Sequence, residues 1–154
     1  LITTAVMLTL TKIFHFEMAH AIYGYLGACK NIHGHSYELH VTVTTSEQVK
    51  EFIPAPGFII DFKEIKQVVF ASVIQSLDHK LVLSKDYVNK NPAIQTQENL
   101  VIWKAEPTAE NLLFYIKNKI SETFSNQVQL ARLKLYETKD SYAEWVEESK
   151  LQKI

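Results

Sequence analysis

One cysteine, four glycines and four prolines are all that this 154-residue chain holds of the residues that staple or punctuate a backbone. Cys29 alone cannot close an internal disulfide, so nothing points to an oxidising compartment. Charge of one sign is missing too: 16 basic side chains stand against 17 acidic ones, a formal net charge of −1. Without a basic stripe, nucleic acid is excluded as the main partner. No apolar run reaches the roughly 20 residues of a membrane-spanning helix. Residues 1–6 lack the basic and apolar regions of a signal peptide, which leaves Met7 as a candidate start and 1–6 as a leader. There is no glycine-rich phosphate loop, internal repeat or low-complexity tract. With 47% hydrophobic residues the chain can build a real core. The expectation is a single cytoplasmic domain over 7–150.

The stretch from Cys29 to Leu39 organises the rest. His33, His35, Tyr37, Leu39, Val41 and Val43 alternate with polar residues, the pattern of a half-buried strand. Residues two apart on a strand share a face, so the His33 and His35 imidazoles stand side by side, about 7 Å apart along the backbone. Gly34 between them suggests a close approach to the backbone. Upstream, Phe14, Phe16 and Met18 form another alternating apolar face, and His20 ends it. If the two strands are neighbours, His20, His33 and His35 can converge. Three neutral imidazoles with an open fourth position is the arrangement of a catalytic zinc. A single histidine on an apolar face is more often a satisfied core residue; the His-x-His pair argues otherwise, because two such groups are hard to satisfy without a metal.

Along the chain, strands are expected over about 8–20 and 32–45, with a glycine-bearing loop between them that carries Cys29. Phe58-Ile-Ile60 reads as a short strand. Asp61 reads as the N-cap of a helix whose stripe is Phe62, Ile65, Val69, Val73 and Leu77, or as a site carboxylate. Asp78-His79 ends that helix, either as a solvated turn or facing a site. Residues 84–97 read as loop and 99–103 as a short strand. Thr108 is a candidate cap for a second helix with Leu112, Leu113, Ile116, Ile120 and Phe124 inward. In the strand 128–137, Ala131, Leu133 and Leu135 share a face that Glu137 closes. That carboxylate either emerges into solvent or receives two N–H groups of a planar ligand. Residues 142–146 complete a terminal hairpin.

The assembled motifs are Phe16-Glu-Met-Ala-His20, Cys29-x-x-x-His33-Gly-His35, Gly57-Phe-Ile-Ile-Asp61-Phe, Leu77-Asp78-His79, Pro107-Thr108-x-Glu110-Asn111 and Glu137-Thr138. In this order, over roughly residues 8–146, the chain resembles the 6-pyruvoyltetrahydropterin synthase family. The three-residue spacer between Cys29 and His33 is similar to the 6-carboxy-5,6,7,8-tetrahydropterin synthase branch. The segment from Ser84 to Glu106 and the tail beyond Val146 are longer than in minimal members.

The resemblance implies an α+β tunnelling-fold (T-fold) subunit: a four-stranded antiparallel sheet, two helices on one face, and a barrel formed on oligomerisation into trimers or hexamers with sites at subunit interfaces. It implies Zn²⁺ on His20, His33 and His35, with Cys29 as general base and Asp78 with His79 as a relay. Glu137 would anchor the pterin, with Thr108 in support. The implied reaction converts 7,8-dihydroneopterin triphosphate to 6-carboxytetrahydropterin, acetaldehyde and triphosphate, towards queuosine and other 7-deazapurines. A pyruvoyl-type elimination of triphosphate is the nearest alternative. A non-catalytic zinc- or pterin-binding oligomer is the alternative of another class.

Overall fold

The computed structural model describes residues 7–125 and 127–148. The expected leader at 1–6 and the end of the tail at 149–154 lie outside the described residues.

Strand β1 (Thr9–His20) pairs antiparallel with β2 (His33–Thr45) from Thr9 opposite Thr44 to His20 opposite His33. The alternating apolar residues of both strands are buried as one face. On that face Phe16 and Tyr37 lie opposite each other with rings stacked, centroids 5.0 Å apart. Such a pair adds about 0.5–1.5 kcal/mol beyond its burial. Gly34 is not forced by crowding, since a Cβ there would meet the Met18 carbonyl at an ordinary 3.5 Å.

Phe58–Ile60 forms no ladder; it is an irregular approach to a helix. The Asp61 carboxylate caps α1 (Phe62–Val69) by accepting the Lys63 N–H at 2.8 Å. The helix runs on through a π-turn (Phe70–Ile74) into α2 (Gln75–Leu77). Ile65, Val69, Val73 and Leu77 are fully buried, but Phe62 is half exposed. Helical side chains lean over the turn that precedes them, and in the first turn there is none. Removing the cap in Asp61→Ala should lower the unfolding free energy by about 1 kcal/mol. A denaturant titration checks this; an unchanged midpoint would mean that water serves the Lys63 N–H equally well.

The next segment departs most from expectation. Lys80–Ser84 is a strand, β3, parallel to the last three residues of β1. Ser84 caps a helix, α3 (Lys85–Lys90), by accepting the Tyr87 N–H, and Pro92–Thr96 makes a 3-10 turn where loop was expected. Strand β4 (Leu100–Trp103) pairs parallel with β3. α4 (Ala109–Ile120) begins at Thr108, whose hydroxyl accepts the Asn111 N–H at 3.2 Å. β5 (Val128–Thr138) and β6 (Ser141–Val146) close the chain as a hairpin.

The sheet therefore has six strands in the order β4-β3-β1-β2-β5-β6, not four, and it is mixed rather than wholly antiparallel. Its main core lies between one face and the helices α1, α2 and α4. A second, smaller core joins Ala21, Leu81, Leu83 and Val88 of α3. The inward face of β5 also differs from expectation. A bulge at Ala131 sets Leu130 opposite Val43 and Arg132 opposite Thr42, so Val128 and Leu130 share the face of Leu133 and Leu135.

Candidate metal centre and adjoining cavity

The β1–β2 register makes His20 and His33 cross-strand neighbours, and alternation adds His35 on the same face. The three ring centroids lie 4.6 to 5.2 Å apart, and one nitrogen from each ring falls within 4.8 Å of the others. His20 ends the buried apolar face of β1 and is itself buried.

The outer nitrogens identify the inner ones. His20 Nδ1 lies 2.6 Å from the Pro107 carbonyl, and His33 Nδ1 lies 2.7 Å from the Asn31 carbonyl. A carbonyl only accepts, so both Nδ1 atoms carry the proton and donate. In neutral rings both Nε2 atoms are then lone pairs, yet they face each other at 3.1 Å. A hydrogen bond between them would require one ring to be doubly protonated. Burial opposes that for His20 and pulls its pKa down, against the Pro107 carbonyl and the Glu137 charge. Burial likewise lowers His35, whose Nε2 is buried without a hydrogen bond. Glu137 Oε1 lies 3.3 Å from that nitrogen but off the line of a bond. Two opposed nitrogen lone pairs, with the buried and unbonded His35 Nε2 beside them, form a socket for a cation. The 3.1 Å between His20 and His33 suits one, since ligands about 2.0–2.1 Å from a tetrahedral ion are about 3.3 Å apart. Three imidazoles suit zinc, copper, iron or nickel.

A cavity of about 380 Å³ adjoins His20, lined among others by Tyr25, Cys29, Thr108, Glu137 and Tyr142. Cys29 lies half-buried in a 3-10 turn (Ala28–Lys30), and its carbonyl accepts the Ile22 N–H at 2.8 Å, closing the loop at its base. Glu137 lines the cavity, continuing the alternation of Leu133 and Leu135, and the hairpin is irregular beside it: Tyr136 pairs with Tyr142 and Thr138 with Ser141, leaving Glu137 unpaired between them. Thr108 serves both readings, capping α4 and lining the cavity.

Asp78 and His79 lie elsewhere. They follow α2, and His79 takes a left-handed backbone (φ 59) held by its N–H to the Glu17 carbonyl and by Asn99 Nδ2 to its own carbonyl. Asp78 Oδ1 accepts the Glu17 N–H at 2.9 Å and sits 3.1 Å from His79 Nδ1, so within one chain His79 pairs with Asp78 and not with Glu137. The Glu17 N–H, then the His79 contacts, hold the Asp78 carboxyl below its ordinary range. The His79 ring is mostly exposed and borders a separate open recess with Glu17, Gly34, Ser36, Lys80 and Asn99. It does not line the Cys29 cavity of its own chain.

Several contacts of the site leave no signal in residue type. The Pro107 and Asn31 carbonyls fix the ring tautomers, and backbone oxygens leave no trace in residue type. The Glu106 carboxylate accepts the Tyr23 N–H at 2.6 Å, tying the Cys29 loop to the start of α4. Tyr37 packs edge-on beside His35, and burial pushes its phenol up so that it stays protonated.

The fold and this centre define an α+β protein with a three-imidazole cation socket at one end of its central strand pair. The family model for 6-pyruvoyl tetrahydropterin synthase matches residues 9–148, and the chain belongs to that family. Among similar proteins, the 6-carboxy-5,6,7,8-tetrahydropterin synthase of Rickettsia typhi is 31% identical over 142 residues, 90% of this chain and 99% of that one. The protein of the same name from Haemophilus influenzae is 26% identical over 92% of this chain and all of its own. Among solved structures, an uncharacterized protein from Wolinella succinogenes superposes with a TM-score of 0.71 at 16% identity, covering 92% of this chain and 99% of that one. The 6-pyruvoyl tetrahydropterin synthase of Caenorhabditis elegans superposes at 0.61 and 18% identity, covering 93% and 97%. These structural likenesses establish the shared fold.

Proposed function

We propose that the protein is a zinc-dependent lyase that converts 7,8-dihydroneopterin triphosphate to 6-carboxy-5,6,7,8-tetrahydropterin, acetaldehyde and triphosphate. It would work as a single cytoplasmic domain over 7–150. The observation that carries this reading is the convergence of three imidazole nitrogens beside a cavity that also holds a thiol and a carboxylate. When bound, the metal ion supplies Lewis acidity towards the oxygens of the substrate side chain. His20, His33 and His35 hold it, and the carbonyls behind His20 and His33 fix which nitrogen points inward.

The remaining chemistry belongs to side chains that touch the substrate. Cys29, half-buried on the cavity wall, takes the proton from the side-chain carbon as its thiolate. Glu137 accepts two N–H groups from the pterin ring and so fixes its orientation, with Thr108 alongside. Glu137→Gln should raise KM roughly 10- to 100-fold, the worth of a charged hydrogen bond. Metal content should stay unchanged. An unchanged KM would remove Glu137 from the pterin contact.

His79 and Asp78 act in this reading from a second copy of the chain. Among the described residues β6 is one of the two edges of the sheet, the other being β4, and Ser141, Tyr142 and Ala143 of β6 line the cavity. A chain docked along that edge borders the cavity directly and covers unpaired backbone. A barrel-forming trimer, or two stacked as a hexamer, provides such an edge contact. The same metal and base also serve a pyruvoyl-type lyase, the activity named for the Caenorhabditis elegans structure. The short spacer between Cys29 and His33 favours the carboxy-type product.

A further inference from the structure

Tyr25 is a large ring left 55% exposed on the rim of the Cys29 cavity. No hydrogen bond to its hydroxyl is present among the described residues. What holds it is its own loop. A Cβ on Gly27 would lie 2.4 Å from Tyr25 Cε1 and 2.9 Å from Cζ, so the ring rests against the bare Gly27 backbone. The backbone does not otherwise call for glycine, because Gly27 has φ −85, open to any residue. Gly24 in the same loop is the opposite case: its φ of +80 demands glycine, while a Cβ there would meet open space. One glycine shapes the turn; the other makes room for a ring. The loop is closed by the Ile22 N–H to the Cys29 carbonyl, so the ring's place is tied to that of the thiol two residues beyond Gly27.

We infer that Tyr25 is a stacking platform for the flat bicyclic ring of the substrate, and that Gly27 is glycine so that the ring can lie there. This rests on the pterin-lyase reading above. A planar ligand held edge-on by Glu137 presents its face to the cavity wall, and Tyr25 is an aromatic wall residue on the loop that also brings Cys29 to that cavity. Offset stacking of two flat π-systems favours this arrangement.

The test uses the metal-loaded protein and two probes: 7,8-dihydroneopterin triphosphate for turnover, and 7,8-dihydroneopterin for binding by calorimetry. Tyr25→Leu should raise KM and weaken dihydroneopterin binding about tenfold, the scale of a lost ring stack. Its kcat should stay close to that of the unchanged protein. Tyr25→Phe should behave as the unchanged protein. Gly27→Ala, which displaces the ring without altering it, should reproduce Tyr25→Leu. Metal content and the rate of Cys29 alkylation by iodoacetamide should not move in any of the three. Equal binding by Tyr25→Leu, or a slowed Cys29 alkylation that accounts for the lost activity, would overturn the platform and leave the lyase reading standing. Failure of the unchanged protein to bind dihydroneopterin would overturn both.

Discussion

Replacing His35 by alanine is expected to strip the protein of its metal and to lower turnover at least about 10³-fold. Lewis-acid activation supplies several kcal/mol, and each 1.36 kcal/mol is a factor of ten. The reasoning begins in the protein without metal. His35 Nε2 is buried with no hydrogen bond, and the His20 and His33 Nε2 atoms oppose each other at 3.1 Å. That arrangement is unfavourable unless a cation occupies it. Metal at a thousand times its Kd should therefore stabilise the unaltered protein by about 4 kcal/mol, and this increment should vanish in His35→Ala. The matching control is His40→Ala. His40 is also on β2, but it pairs with Glu38 at 2.6 Å and lies on the opposite face by alternation. Metal analysis and thermal unfolding with and without added metal decide the matter. Stoichiometric metal retained by His35→Ala would show that the three imidazoles are not the ligands.

Cys29→Ala is expected to lower kcat by about 10² to 10⁴, the usual contribution of a positioned base, while metal content and the unfolding midpoint stay close to those of the unaltered protein. Cys29 is not part of the main core, and its structural tie to the loop is a backbone carbonyl that alanine keeps. The substitution thus removes chemistry and little else. A substrate complex that still forms with an unchanged KM would place the loss in the proton transfer step. Full turnover by Cys29→Ala would assign the base to another group.

The parts of the fold that were legible in the sequence are those where one period dominates. β1 and β2 alternate in sequence because one face carries the main core, although Thr42 and Thr44 on the other face of β2 are also buried, and that alternation placed three histidines on a single face. α1 and α4 announced themselves by stripe and cap together. β3 was missed because Leu81, Val82 and Leu83 are all buried, with one core on either face, and a strand buried on both sides has no alternation to read. α3 has six residues, too few for a stripe, so 84–97 reads as loop in the sequence. The bulge at Ala131 shifts the parity of β5 midway, which a pattern of strict alternation cannot follow. At the site, the convergence of the three imidazoles was legible and the geometry behind them was not. The Pro107 and Asn31 carbonyls that set the tautomers are backbone atoms. The separation of Asp78 and His79 from Cys29 arises from the path of the chain after α2, where His79 turns left-handed beside Glu17.

The most direct test of the lyase assignment is the product. The metal-loaded protein is incubated with 7,8-dihydroneopterin triphosphate and the pterins are read by mass spectrometry, with acetaldehyde assayed in parallel. The expected result is 6-carboxy-5,6,7,8-tetrahydropterin and acetaldehyde in equal amounts, lost together in Cys29→Ala. A 6-pyruvoyl product without acetaldehyde, or no turnover by fully metal-loaded protein, would contradict it.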